Sequence, residues 1–213
     1  LAPVTMLPAR GLYAITSAAI CRDEATLLAA VTKALRGGAV LLQYRDKLND
    51  LATRRRYAQA LQSLCREARV PLILNDGPAD EVASAGLDGL HLGVSDGELA
   101  AARRLLPSAL IGATCGQSLE RALAAQAAGA SYAAFGAFHP SATKPLAALA
   151  PLTLLVQAAA TLQIPLCAIG GITPQNAAPL IAAGANYIAA VEGVFAAADI
   201  EAAARDYARL FEA

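Results

Sequence analysis

The chain has 213 residues, which suits one domain with a single hydrophobic core, since α/β barrels often reach about 200–250 residues as one unit. Hydrophobic residues make up 56% of it and charged residues 16%, and the mean hydropathy is +0.45, which excludes an intrinsically disordered chain. The 17 basic and 17 acidic residues cancel, and the longest basic run is Arg54-Arg55-Arg56, so the charge pattern argues against a nucleic-acid-binding protein.

Short apolar segments alternate with longer segments rich in Ala and Leu along the whole chain. The short segments predict eight β-strands, at residues 12–16, 39–44, 71–75, 89–92, 110–113, 132–136, 165–169 and 187–191. The longer segments have the apolar spacing of helices packed on a sheet, at residues 24–35, 51–68, 97–106, 119–128, 146–162, 174–183 and 199–210. The link at residues 77–85 is shorter and predicts about two helical turns.

A weak internal repeat supports a parallel sheet. A glycine closes an Ala-rich helix and opens an apolar strand at Gly38, Gly86, Gly129 and Gly184. Eight strand–helix units of about 27 residues predict a single-domain (β/α)₈ TIM barrel over residues 1–213. The alternative is a doubly wound open sheet, which usually has five or six strands and a GxGxxG motif after the first, neither of which is found here.

No charged residue lies between Lys144 and Glu192, and this segment is long enough to cross a bilayer. Glutamines, prolines and the Gly170-Gly171 pair interrupt it, so that no run of about 20 apolar residues remains. We therefore expect no membrane span.

The remaining signals of cellular compartment point to the cytoplasm. Residues Leu1 to Arg10 lack the pattern of an export signal. The four cysteines are scattered without a CxxC pair, which predicts reduced thiols: Cys21, Cys65, Cys115 and Cys167.

Polar residues collect where the predicted strands end, which is where (β/α)₈ barrels place their functional groups. Gln43, Arg45 and Lys47 alternate along an extended segment and therefore project to one side of it. Two cations and an amide at the barrel mouth suit an anionic ligand, although a solvated loop is the alternative.

Asp76 and Asp96 follow the third and fourth predicted strands. Two carboxylates that converge there would repel each other unless a cation lies between them, and Mg²⁺ is usually held by few carboxylates together with phosphate oxygens and water. The pattern predicts a Mg²⁺ site, with helix N-caps as the alternative role of these aspartates.

The loops after strands six and seven have the composition of a phosphate site. Ser141, Thr143 and Lys144 supply two hydroxyls and an ammonium, and Gly170-Gly171 lets backbone N–H groups approach an anion. The two histidines have no spacing that suggests a zinc site. His91 lies in an apolar strand end and is interpreted as structural, and His139 receives no role.

Five blocks in this order resemble the thiamine-phosphate synthase family over residues Leu12 to Phe195. They are Gln43-x-Arg45-x-Lys47, Asn75-Asp76, His91-Leu92-Gly93-x-x-Asp96, Ser141-x-Thr143-Lys144 and Ala168-Ile169-Gly170-Gly171-Ile172. The resemblance implies a (β/α)₈ barrel that requires Mg²⁺ and joins hydroxymethylpyrimidine diphosphate to thiazole phosphate, releasing diphosphate. Its implied partners are these two small molecules, with no nucleic acid and no membrane, and a homo-oligomer is compatible with it.

The resemblance also implies roles for individual residues. Those near the pyrimidine and its diphosphate would be Gln43, Arg45, Lys47, Asn75, Thr114 and Lys144, of which Arg45, Lys47 and Lys144 would be catalytic because they stabilise the leaving diphosphate. Asp76 and Asp96 would bind Mg²⁺. Residues near the thiazole phosphate would be Ser141, Thr143, Gly171, Glu192 and Gly193.

Three positions depart from the family pattern: Val94 replaces a Gln, Gly116 replaces a His, and Glu192 replaces a Ser. Glu192 would place a carboxylate beside the phosphate, so we expect the backbone N–H groups of 192 and 193 to hold the phosphate while the carboxylate turns away. The alternative is a weakened relative of the family that no longer favours the thiazole phosphate. One alternative is a thiazole tautomerase, in which a His is expected where Ala137 stands. The other is a barrel that binds a phosphorylated ligand without catalysis.

Overall fold

The computed structural model describes residues 6–93, 96–141 and 148–212. Within them, eight parallel strands form a closed barrel in which each strand pairs with the next along the chain and β8 pairs with β1. The predicted (β/α)₈ barrel is therefore confirmed. The strands are β1 (Gly11–Ile15), β2 (Leu41–Tyr44), β3 (Leu72–Asn75), β4 (Gly89–Leu92), β5 (Leu110–Gly116), β6 (Tyr132–Phe135), β7 (Leu166–Ala168) and β8 (Tyr187–Ala190).

Helices follow the strands and cover the outside of the barrel. They are α1 (Glu24–Arg36), α2 (Leu51–Ala68), α3 (Ala79–Ala85), α4 (Asp96–Leu105), α5 (Leu119–Ala127), α6 (Leu152–Thr161), α7 (Ala178–Ala182), α8 (Glu192–Phe195) and α9 (Ile200–Arg209), with a 3-10 helix at Ala18–Arg22. Aspartate caps begin α1, α2 and α9, because each carboxylate of Asp23, Asp50 and Asp199 accepts a hydrogen bond from a backbone N–H of the first turn.

Two predicted helices are shorter than the sequence indicates. The helix predicted at 146–162 begins only at Leu152: residues 146 and 147 lie outside the described residues, and Pro151 disfavours helical backbone at Ala150. Ala150 instead donates its N–H to Ala137 O, at 2.7 Å. The helix predicted at 174–183 covers only Ala178–Ala182, because Asn176 Oδ1 accepts a hydrogen bond from Thr173 N and forms a turn.

Alternate residues of each strand point to opposite sides, which creates two apolar layers. One layer lies between the strands and the helices. The other fills the barrel interior with the side chains of Tyr13, Ile15, Leu41, Ile73, Leu110, Tyr132, Ala134, Cys167, Tyr187 and Ala189.

Two further expectations concern the cysteines and the membrane. The four cysteines are buried and form no disulfide among the residues that the structure describes. Within the same residues, no helix combines the length and the apolar character that crossing a membrane requires.

Candidate active site

The predicted site residues lie at one end of the barrel, because the carboxyl ends of parallel strands all face the same way. Gln43, Asn75 and Thr114 lie on β2, β3 and β5, and Asp76 directly follows β3. Ser141, Gly171, Glu192 and Gly193 lie in the segments that follow β6, β7 and β8. Asp96 begins α4, but its side chain is outside the described part of the chain, as are Val94, Thr143 and Lys144.

A chain of polar side chains crosses the barrel interior beneath the mouth. Asn75 Nδ2 donates to Gln43 Oε1 at 2.9 Å, and Gln43 Nε2 donates to the hydroxyl of Tyr13 at 2.9 Å. The hydroxyls of Tyr13 and Tyr132 are 2.6 Å apart. Two predicted site residues, Gln43 and Asn75, are thus in direct contact and are joined to tyrosines that the sequence analysis did not select.

The same chain of hydrogen bonds continues through His91 to Thr114, another predicted site residue. The Tyr132 hydroxyl lies 2.9 Å from His91 Nδ1, and His91 Nε2 lies 2.9 Å from Thr114 Oγ1. The direction of donation along this chain depends on the tautomer of His91: the hydrogen bonds run either from Tyr13 toward Thr114 or from Thr114 toward Tyr13. When Nε2 carries the proton, Thr114 accepts from His91 and its hydroxyl hydrogen is available for a ligand.

Gly112 provides the space for this chain. It pairs with His91 on β4 and with Tyr132 on β6, so it lies between them on the middle strand. A Cβ at position 112 would lie 2.1 Å from Tyr132 Cζ and 2.6 Å from His91 Nδ1. Only glycine therefore lets the side chains of the two flanking strands meet over β5.

The buried side chains of this hydrogen-bonded chain are uncharged. Burial lowers the pKa of His91 to about 4, against the smaller opposing effect of the Asp76 charge, so the imidazole is neutral at physiological pH. Burial also raises the pKa values of Tyr13 and Tyr132 well above the ordinary tyrosine value. Both ring nitrogens of His91 have partners, as expected for the structural histidine that the sequence predicts.

The loop after β2 places charges at the mouth. Arg45 and Lys47 are exposed, whereas Tyr44 and Asp46, which precede them in turn, are buried. This is the alternation expected of extended backbone. Lys47 Nζ lies 3.3 Å from Asp76 Oδ2, and the two side chains are 50% and 47% exposed. The predicted cation and the predicted metal ligand are therefore neighbours.

Asp76 occupies an unusual backbone position. Its φ is +50°, in the left-handed region, and its N–H donates to His91 O at 3.0 Å, so the chain turns sharply at the end of β3. Among the described residues, no group of three or more His, Cys, Asp or Glu side chains could hold a metal ion. One exposed carboxylate at the mouth, with Asp96 beginning α4 after the neighbouring strand, fits Mg²⁺, which takes few protein carboxylates and fills its other positions with phosphate oxygens and water.

The loops after β6 and β7 pack backbone against backbone. Gly171 has a φ of +60°, and a Cβ there would lie 2.3 Å from Pro140 O. His139 N also donates to Gly170 O at 3.0 Å. Glycine at 171 therefore brings the Gly170-Gly171 backbone next to the segment that leads into Ser141.

The segment after β8 leaves Glu192 and Gly193 at the surface. Glu192 and Gly193 are both exposed in the first turn of α8, where backbone N–H groups have no acceptor inside the helix. A Cβ at 193 would lie 2.2 Å from the Tyr207 hydroxyl, which donates to Ile172 O at 2.8 Å. Tyr207 on α9 thus connects the segments after β7 and β8, a contact that sequence reasoning missed.

The residues missed from the sequence share one property: they are polar groups inside apolar segments. Tyr13 and Tyr132 share the inward side of their strands with Ile15 and Ala134, so strand alternation could have placed both in the interior. Their mutual contact could not be predicted, since it joins residues 119 positions apart.

A closed parallel barrel with cations, a carboxylate and glycine-rich loops at its carboxyl end is typical of (β/α)₈ enzymes that act on phosphorylated substrates. The family model described as thiamine monophosphate synthase matches residues 12–194. The thiamine-phosphate synthase of Methylococcus capsulatus is 51% identical over 207 residues, which covers 97% of this chain and 91% of that protein. That of Thioalkalivibrio sulfidiphilus is 52% identical over 204 residues, covering 95% of this chain and 96% of that protein.

A solved structure agrees with these relatives. Thiamine phosphate pyrophosphorylase from Pyrococcus furiosus superposes with a TM-score of 0.84 at 29% identity and covers 96% of both chains. The chain belongs to the thiamine monophosphate synthase family. The family resemblance, the enzymatic character and the condensation expected from the sequence are thereby confirmed, and the relatives named here favour synthesis over the tautomerase and non-catalytic alternatives.

Proposed function

We propose that this chain joins hydroxymethylpyrimidine diphosphate to thiazole phosphate at the mouth of the barrel, with Mg²⁺ as its cofactor. This assignment rests on two pairs of polar side chains at the carboxyl ends of the neighbouring strands β2 and β3. Lys47 and Asp76 form an ion pair at the mouth, while Gln43 and Asn75 form an amide pair just inside it. A charged outer layer and a neutral polar inner layer suit a ligand with a diphosphate at one end and a pyrimidine at the other.

The pyrimidine would lie against Gln43, Asn75 and Thr114. The neutral chain through Tyr13, Tyr132 and His91 connects the Thr114 hydroxyl to Gln43 and Asn75. Asn75 Oδ1 is buried and has no hydrogen-bond partner in the part of the chain that is described. A buried amide oxygen without a partner is costly, so this feature supports a polar ligand or an ordered water beside Asn75.

The diphosphate would be held by Arg45, Lys47 and Lys144, with Asp76 and Asp96 holding Mg²⁺. Arg45 offers a planar fork of donors and Lys47 a compact charge, and both side chains are exposed at the mouth. When bound, Mg²⁺ would supply positive charge that stabilises the departing diphosphate.

The reaction breaks the bond between the pyrimidine methylene carbon and the diphosphate oxygen, and it forms a bond from the same carbon to the thiazole nitrogen. The electron pair of the broken bond leaves with diphosphate, and the thiazole nitrogen provides the pair for the new bond. The electron-rich aminopyrimidine stabilises the carbon as diphosphate departs, so no general base is required. Arg45, Lys47 and Lys144 would therefore act by stabilising negative charge on the leaving group.

The thiazole phosphate would bind on the opposite side of the mouth. Its donors would be the backbone N–H groups of Gly171, Glu192 and Gly193, together with the hydroxyls of Ser141 and Thr143. The exposed position of Glu192 supports a carboxylate that turns toward solvent. Gly193 is exposed as well, and the Tyr207 hydroxyl lies where its Cβ would be.

The cytoplasm is the proposed cellular setting. Four buried cysteines without a disulfide suit a reducing cytoplasm. Self-association into a homo-oligomer is also proposed, and sedimentation would test it.

Incubation with both phosphorylated substrates and Mg²⁺ tests the function directly, with thiamine phosphate and diphosphate as the measured products. Lys47→Ala should lower kcat/KM at least about tenfold. Lys33→Ala is the matched control, since Lys33 is exposed in the last turn of α1, before the chain enters the amino end of β2. Thiazole isomerisation without condensation, or ligand binding without turnover, would contradict the proposal.

A further inference from the structure

Asp46 lies between the two exposed cations of the β2–α2 loop but points the other way. Its residue is only 5% exposed, whereas Arg45 and Lys47 on either side are exposed. A carboxylate is rarely buried unless donors surround it, because removing an anion from water is costly. The partners of Asp46 therefore indicate what this carboxylate does.

Four hydrogen bonds converge on the carboxylate. Oδ1 accepts from the backbone N–H groups of Leu48 and Asn49, at 2.9 and 3.0 Å. Oδ2 accepts from the Tyr44 hydroxyl and from Asn49 Nδ2, both at 2.8 Å. Every donor belongs to residues 44–49, so the carboxylate closes the loop on itself.

Two further contacts anchor the loop to the barrel. Asn49 Nδ2 donates to Cys21 O at 2.7 Å, which ties the loop to the 3-10 helix. The Thr16 hydroxyl accepts from Arg45 N at 2.8 Å and donates to Arg45 O at 2.9 Å. Both backbone groups of Arg45 are thus held by Thr16, which directly follows β1, while Asp46 holds the residues that follow.

We propose that Asp46 is a positioning residue: it closes the β2–α2 loop so that Arg45 and Lys47 are held ready to bind the diphosphate, an inference that rests on the proposed function. Asp46 does not face the ligand, because it lies on the buried side of the extended segment. Its effect reaches the substrate through the backbone that it shares with its two neighbours.

Charge and position predict opposite results when Asp46 is neutralised. A negative charge near a diphosphate opposes its binding, so Asp46→Asn would tighten substrate binding if charge alone mattered. If Asp46 positions the cations, the same variant weakens binding, because an amide nitrogen cannot accept the bonds that Tyr44 and Asn49 donate. The sign of the change therefore separates the two effects.

The test compares Asp46→Asn with Asp50→Asn. Asp50 carries the same charge on the same loop, but it is exposed and caps α2 through Thr53 N. We measure KM separately for the pyrimidine diphosphate and for the thiazole phosphate, and amide hydrogen exchange at Leu48 and Asn49. Asp46→Asn should raise the first KM at least about fivefold, leave the second within about twofold, and speed exchange at both amides. Asp50→Asn should change none of these by more than about twofold.

Tyr44→Phe is a milder variant that keeps the proposal testable if Asp46→Asn fails to fold. It removes one of the four hydrogen bonds to Asp46 and keeps the carboxylate. It should raise the KM for the pyrimidine diphosphate by a smaller factor. An unchanged or lower KM in Asp46→Asn, equal changes in both KM values, or unchanged amide exchange would each overturn the proposal. Absence of thiamine phosphate formation by the unmodified protein would instead overturn the proposed function, and the exchange measurement would still test the loop closure.

Discussion

The hydroxyl of Tyr132 lies 2.9 Å from Nδ1 of His91, although the two residues come from strands that are not neighbours in the sheet. Gly112 on the intervening strand pairs with both. This contact joins the amide pair of Gln43 and Asn75 to the Thr114 hydroxyl, and so it links two sides of the proposed pyrimidine site.

Gly112→Ala should disrupt that link, because the added methyl group would occupy the space of Tyr132 and His91. We expect a loss of about 1–3 kcal/mol in the free energy of unfolding, typical of an overpacked core, together with a higher KM for the pyrimidine diphosphate. Urea denaturation and steady-state kinetics measure the two effects. Gly93→Ala is the control, since a Cβ there has nothing within 4 Å, and its stability should stay within about 0.5 kcal/mol. Equal stability of both variants would contradict the role of Gly112.

His91 should make stability depend on pH. Its pKa in the folded protein is about 4, whereas an unfolded histidine titrates near 6.5. Below about pH 6.5 the His91 imidazole is protonated in the unfolded chain but stays neutral in the folded chain. The free energy of unfolding should therefore fall between about pH 6.5 and 4, by about 3 kcal/mol in all.

Urea denaturation at pH 7 and pH 4.5 measures this dependence. His91→Gln should remove most of the histidine contribution, at some cost in stability at pH 7 because Tyr132 and Thr114 lose their partner. His139→Gln is the matched control, since it removes the other histidine from a partly exposed position and should retain the dependence. The same pH dependence in both variants would rule out His91 as its source.

Asp76→Asn should lower kcat at least about tenfold, because it removes a proposed Mg²⁺ ligand whose effect is greatest as charge builds on diphosphate. Asp96→Asn should act in the same way. EDTA should reproduce the loss in the unmodified protein, and added Mg²⁺ should restore activity. Asp80→Asn, an exposed aspartate on α3, is the control and should retain activity. Full activity in EDTA would refute the metal assignment.

Glu192→Ser should leave the KM for the thiazole phosphate within about threefold, because the Glu192 side chain is exposed and water and salt screen its charge from the phosphate. A carboxylate fixed about 5 Å from the phosphate would cost on the order of 3 kcal/mol at an effective dielectric constant near 20, and its removal would lower KM tenfold or more. Steady-state kinetics with varied thiazole phosphate separates these outcomes. A marked loss of activity would show instead that the carboxylate has a role of its own.

The barrel and the chemical character of its mouth could be predicted from local sequence patterns. Apolar runs of strand length, separated by helices and preceded by glycines such as Gly38 and Gly184, specify parallel strands, and parallel strands bring their carboxyl ends to one face. Gln43, Arg45, Lys47, Asn75 and Asp76 were therefore identified from where their strands end.

Only the tertiary structure decided which of these groups touch and what holds them. Barrel closure brings Tyr13, Tyr132 and His91 into one hydrogen-bonded chain across three separate strands, a contact that no local pattern encodes. Strand alternation places Asp46 opposite Arg45 and Lys47, but its burial follows from donors that the folded loop gathers around it. The physical reason is the same in both cases: a buried polar group must be hydrogen-bonded, and its partners are chosen by the three-dimensional packing rather than by neighbours in the sequence.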